Sequence, residues 1–295
     1  MVPLGSTEQH GPHLPLDTDT RIATAVARAV ATRLPRPDWL VAPAIAYGAS
    51  GEHQSFAGTI SIGIDALAML LVEYGRSATC WADRLVFVNG HGGNIGALGR
   101  AVGLLRSEGR DAGWCSCSTV GGDAHAGHTE TSVLLHISPD EVLTDRLLAG
   151  NGAPLQELLP SMRRGGVAAV SPTGVLGDPT TATAAAGRRI FAEMVDDCRR
   201  RIARWLPDPT GCWHDPDATA GWVRGAGRPP RAGARPRLGP ARWFTDPAAA
   251  AGSRRAGHAF RRPAQGARRA QRTTGPHPAG CHGGASAPRQ RSLIS

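Results

Sequence analysis

The segment Arg84-Leu85-Val86-Phe87-Val88-Asn89 constrains this chain more than any other. Four successive β-branched, aliphatic or aromatic residues leave no face for water. A strand of this kind sits at the centre of a parallel sheet with helices over both faces. The surrounding pattern agrees. A helix is predicted over 21–34, where Ile22, Val26, Ala29 and Val30 recur at helical spacing before Pro35 and Pro37 end it. Others are predicted over 65–80, with Leu67, Leu70, Leu71 and Tyr74 on one face, over 95–108, over 129–137 and over 182–206. Further strands are expected over 40–45 and 112–120, and 150–177 reads as irregular. Met1-Val2-Pro3-Leu4-Gly5 reads as the end of a strand whose start lies upstream. Strands alternating with helices specify an α/β domain with a mostly parallel sheet. Such sheets bind ligands beyond the carboxyl ends of their strands.

Charge divides the chain at Gly211. Residues 1–211 carry eighteen Arg against twenty-one acidic residues, a net −3, whereas 212–295 carry fifteen Arg against three Asp, a net +12. The basic character therefore belongs to the tail and is no nucleic-acid signal for the domain. The tail is rich in Arg, Pro, Gly and Ala and poor in aliphatic residues, so it cannot bury enough apolar area to offset chain entropy. It is read as disordered, and as the product of a frameshift or read-through of GC-rich DNA rather than a basic arm for nucleic acid or membrane. The domain is expected to occupy 1–211. No C-x-x-C pair occurs among the six Cys, which fits a reduced, cytoplasmic setting. No apolar run approaches the roughly 18–20 residues that span a bilayer, so no membrane partner is expected.

Three polar segments carry the chemistry. In Glu8-Gln9-His10 … Asp19, the first and third residues share one side of an extended backbone, and Asp19 returns after the turn at Gly11-Pro12. Carboxylate plus imidazole is a donor set that zinc, iron and manganese accept. On spacing alone the segment reads equally as an ordinary polar loop. Asn89-Gly90-His91-Gly92-Gly93-Asn94 directly follows the apolar strand, where His91 is a metal ligand or a capping side chain. In Asp123-Ala124-His125-Ala126-Gly127-His128-Thr129-Glu130, Thr129 can cap the next helix and place Glu130 in its first turn. His125 there suits general acid–base work. A fourth segment, 48–59, reads as a substrate-facing wall or a surface loop, with Glu52 and His53 as its chemistry-bearing members.

These motifs, in this order, resemble the creatininase family of metal-dependent amidohydrolases over roughly residues 2–206. The resemblance implies a three-layer α/β/α sandwich, two divalent ions per chain (zinc, iron(II) or manganese) and a homo-oligomer, often a hexamer. It implies that Glu8, Asp19 and His91 bind one ion and that His10 and the shared Asp19 bind the other. True creatininase has a further Glu ligand where Gly93 stands here, so Glu130 is expected to take that part. His125 would be catalytic, and His53, Glu52 and Gly92 would meet the substrate. Within the family, the Glu8 and Tyr47–His53 segments look most like a member that releases a C-terminal Val-Tyr dipeptide from a modified ribosomal precursor peptide in redox-cofactor biosynthesis. The implied activity is hydrolysis of a peptide bond. A small formamide or lactam hydrolase, or a non-catalytic metal-binding scaffold, are the alternatives.

Overall fold

The computed structural model describes residues 1–35 and 38–213. Its sheet has three parallel strands, β1 (Val2–Leu4), β2 (Leu85–Asn89) and β3 (Ala112–Ser116), in that order. The apolar run is the central strand, and every residue of it is buried. Val2 is paired with Phe87 and Phe87 with Trp114, so these side chains share one face. They form a core with Leu67 and Leu71 of α2 (Gly63–Ala78) and Leu98 and Leu105 of α3 (Ile95–Ser107). The alternate residues Val86, Val88 and Cys115 face the second core. That core is filled by Val26 and Val30 of α1 (Thr18–Ala31), Val133 and Leu134 of α4 (His128–Ile137), and Met194, Val195 and Ile202 of α6 (Ala184–Arg204). The result is the expected three-layer α/β/α arrangement, produced by period-two alternation on strands that are covered twice.

Several elements depart from their sequence expectation. Segment 40–45 lies along β1 without becoming a strand. Ala42 N donates to Met1 O and Ile45 N to Pro3 O, both at 2.9 Å, so three residues face two and the run is bulged rather than a regular strand. Segment 150–177 is not wholly irregular. It contains α5 (Leu155–Gly165), whose Leu158 packs on Val167 and Leu176, and Pro160 inside the helix is what obscured it. The strand expected over 112–120 stops at Ser116.

The run just after Gly211 continues along the sheet. Trp114 N donates to Gly211 O, and Trp213 N to Trp114 O. This run lies along the free edge of β3 and buries Trp213 in the second core. The disordered tail expected over 212–295 otherwise lies outside the described residues. Among the described residues no helix is long and apolar enough to cross a membrane.

Candidate metal centre

The three motifs meet beyond the carboxyl ends of β1 and β2. Gly90 N donates to Leu4 O at 2.8 Å, so the two strand ends stay in register as they enter the site. The Asn94 amide then ties three segments together. Its Nδ2 donates to Gly5 O and its Oδ1 accepts from Ala49 N, each at 2.9 Å. Asp19 sits in the first turn of α1, where Ser6 Oγ donates to its Oδ2 at 2.7 Å. His125 pairs through its backbone with Leu176. Ala126 follows in the left-handed region, at φ 51°, and its N–H donates to Glu130 Oε2 at 2.6 Å. A non-glycine residue there is strained, and the strain aims an N–H at a carboxylate of the site.

The side chains converge around Glu8, which is wholly buried. From its Oε1, His91 Nδ1 is 3.2 Å, His53 Nε2 3.6 Å, His125 Nδ1 3.8 Å and His10 Nε2 3.9 Å away. None of these has the alignment of a hydrogen bond, and neither Glu8 oxygen has a hydrogen-bond partner among the described residues. An orphaned buried carboxylate costs several kcal/mol unless a cation compensates it. Asp19 reaches two ways, with Oδ1 3.1 Å from His10 Nε2 and Oδ2 3.3 Å from His91 Nδ1. Three overlapping groups can hold an ion: Glu8, Asp19 and His91; His10, His125 and Glu130; and Glu8, His53 and His125. The donor chemistry and the unpartnered Glu8 both fit a binuclear site of borderline divalent cations.

Hydrogen bonds set which ring nitrogen faces inward. His10 Nδ1 donates to Glu8 O at 3.1 Å and so turns Nε2 to Asp19. His125 Nε2 donates to Gln9 O at 2.8 Å and turns Nδ1 to Glu8. Gln9 Oε1 accepts from Gly11 N, which makes its Nε2 the donor to His53 Nδ1 at 2.8 Å. His53 therefore faces Glu8 with a protonated Nε2 and supports that carboxylate rather than offering a lone pair.

Titration follows from the crowding. Burial and Asp19 push the Glu8 carboxyl up, but the imidazoles of His91 and His53 outweigh them and hold it below its ordinary value. Burial likewise opposes ionisation of Asp19, and His10 and His91 hold it well below the usual range. Burial pulls His10 down, yet Asp19, Glu130 and Glu8 lift it to about 10. His91 is raised well above its ordinary value against burial, chiefly by Glu8 and Asp19. Two imidazolium charges thus flank Asp19 where two cations would. His125 goes the other way: burial, His10 and His53 hold it well below its ordinary value, as a neutral acceptor. Burial raises Glu130 to about 7.

All five residues expected to bind metal, Glu8, His10, Asp19, His91 and Glu130, come together, and His125 stands among them. Gly92 lines a cavity of about 260 Å³ that opens on His91 and Glu130 and is bounded by Cys117, Thr119 and Asp123. Glu52 and His53 do not line it; they turn instead to His91 and Glu8. The cap of α4 is not Thr129. Asp123 accepts from both His128 N and Thr129 N. Gln9, Ser6 and Asn94 were missed by motif reading, and only the position of Gln9 between Glu8 and His10 hinted at a role.

The family model described as creatinine amidohydrolase matches residues 1–202. The chain is 78% identical over 217 residues to the mycofactocin precursor peptide peptidase of Mycobacterium ulcerans, across 72% of this chain and 87% of that protein. A mutant creatininase in a zinc–zinc form superposes with a TM-score of 0.58 at 27% identity, over 70% of this chain and 90% of that one. A manganese creatininase superposes with a TM-score of 0.57, also at 27% identity, over 70% and 91%.

Proposed function

The chain belongs to the creatininase family, and from that premise we propose that it is a metal-dependent peptidase acting on the mycofactocin precursor peptide. The 78% identity to a peptidase so named, along most of that protein's length, carries the reading. Glu8, Asp19 and His91 would hold one ion and His10 and Glu130 the other, with Asp19 placed between the two groups. Zinc and iron(II) suit this mixed oxygen and nitrogen set, and manganese is also accepted. When bound, such ions polarise the scissile carbonyl and make water a nucleophile at neutral pH.

The protein's own part in the reaction is proton handling and placement. His125 is neutral, its Nε2–H is committed to Gln9 O, and its Nδ1 faces the cluster. Nδ1 takes the proton of the attacking water and returns it to the leaving nitrogen. The peptide C–N bond breaks, hydroxyl adds to the acyl carbon, and the proton leaves on the amine. The cavity beside His91, Gly92 and Glu130 is open space next to the cluster, and the expected product is a Val-Tyr dipeptide. Family resemblance adds a homo-oligomer, which light scattering on the full chain would read directly.

The test is incubation of zinc- or iron-loaded chain with the modified precursor, following the dipeptide by mass spectrometry, with creatinine as a parallel substrate. Creatinine turned over while the precursor stays intact would move the assignment to a small-lactam hydrolase. A chain that binds metal and hydrolyses neither would favour a scaffold role.

A further inference from the structure

His91 has two polar edges, and the ligand set above uses only one. Its Nδ1 faces Glu8 Oε1 at 3.2 Å and Asp19 Oδ2 at 3.3 Å. Its Nε2 points the opposite way, into the loop at 49–52. There it lies 3.2 Å from Ala49 O, 3.5 Å from Ser50 Oγ and 3.6 Å from Glu52 Oε1. An imidazole that gives Nδ1 to a cation carries its proton on Nε2, and a buried N–H needs an acceptor. Here the hydrogen-bonding partners are Ala49 O and Ser50 Oγ, and Glu52 Oε1 faces the same edge at ion-pair distance, all from one loop.

Position 93 controls whether that loop can come so close. A Cβ on Gly93 would fall 2.8 Å from Glu52 Oε1 and would strike both Ala49 O and His91 Nε2. The bare backbone at 93 is therefore what admits Glu52 to the ring. We propose that Glu52 is a positioning residue for the metal centre: Ala49 O takes the Nε2–H of His91, and the Glu52 oxygen facing the same edge favours that tautomer, which presents Nδ1 to Glu8 and Asp19. Its Oε1 faces the far edge of the ring, so it is no ligand beside Nδ1. It does not line the cavity beside His91, Gly92 and Glu130.

The inference rests on the metal reading above, and zinc affinity tests both. Zinc is titrated into the full chain against a chromophoric chelator. Glu52→Ala should weaken one of the two zinc ions by about 10–100-fold. Glu52→Gln keeps an acceptor and should recover most of that loss, while the metal-free melting temperature stays level in both variants. In a His91→Ala background, Glu52→Ala should cost the remaining zinc nothing further, because its effect runs through His91. Equal zinc binding by wild type and Glu52→Ala would overturn the inference alone. So would an unchanged loss in the His91→Ala background, or a raised KM for the precursor with zinc affinity intact. A wild-type chain that binds no zinc would overturn the metal reading, and this inference with it.

Discussion

Glu8, Asp19 and His91 hang from the ends of β1, α1 and β2, whereas His125 and Glu130 hang from the loop between β3 and α4 and its first helical turn. The strand-end wall is locked by main-chain ladder bonds and by Asn94, and its three side chains are buried. The loop wall is turned by Asp123 and a left-handed Ala126, and Glu130 keeps 20% of its side chain exposed beside the cavity. The first wall holds an unpartnered carboxylate at fixed distance from imidazoles, which only a rigid frame can sustain. The second must admit a substrate, and a loop end can give way for one. The division predicts that damage to the strand-end wall removes the ion assigned to Glu8, Asp19 and His91, whereas loss of His125 from the loop wall removes rate.

The largest effect should come from the strand-end wall. His91→Ala takes away the imidazole whose Nδ1 lies between Glu8 and Asp19, so one of the two bound ions should be lost and activity with it. Metal analysis of the purified variant beside its turnover checks this; retention of both would dissolve the proposed centre. On the loop wall, His125→Ala should lower kcat by about 10²–10⁴-fold while leaving metal content near wild type, as expected of a proton carrier. Loss of metal in that variant would place His125 among the ligands, since it belongs to two of the groups able to hold an ion. The contrast between the walls would then fail.

The same contrast governs what could be read from sequence. The strand-end wall was legible because its cause is local. Consecutive apolar residues force a doubly covered strand, and the residues after such a strand enter the ligand-binding end of the sheet. Glu8 and His10 share one side of an extended backbone by their two-residue spacing, but it took the other motifs to set them apart from an ordinary polar loop. The supporting contacts were not, because their partners are remote in sequence. Gln9 orients His53, forty-four residues on, and Asn94 holds Gly5, eighty-nine residues back. Thr129 was the cap suggested by residue type, whereas the turn at Ala126 brings Asp123, six residues earlier, to the helix start. Trp213 looked like tail because composition changes there, yet its position is set by the open edge of β3.

Asp123→Ala sharpens the comparison further. Asp123 accepts from two N–H groups at the start of α4, and loss of such a cap costs about 0.5–2 kcal/mol. The expected outcome is a lower melting temperature and slower turnover, with metal at the strand-end wall retained. Metal released in step with that destabilisation would show the two walls to be one cooperative unit.

A smaller effect should appear in acid, through His13. Its ring is buried under the loop wall, with Nε2 2.9 Å from Thr131 Oγ1 on α4. Burial, reinforced by His10, lowers its pKa to about 4. Unfolded, it takes a proton near pH 6.5; folded, it resists until about 4. Between these values the unfolded chain binds more protons, so the stability that neutral His13 contributes is complete above about 6.5 and is lost as pH falls toward 4. One such group changes stability by at most about 1.4 kcal/mol per pH unit in that window. His53, lowered to about 4 by burial, adds a slope of the same sign. His13→Gln keeps a hydrogen-bonding group near Thr131 and cannot titrate, so denaturation of the metal-free chain from pH 6.5 to 4 should be shallower in pH for this variant. Identical slopes would mean that His13 is not neutral in the fold, and that α4 is joined to the 10–14 loop through an imidazolium instead.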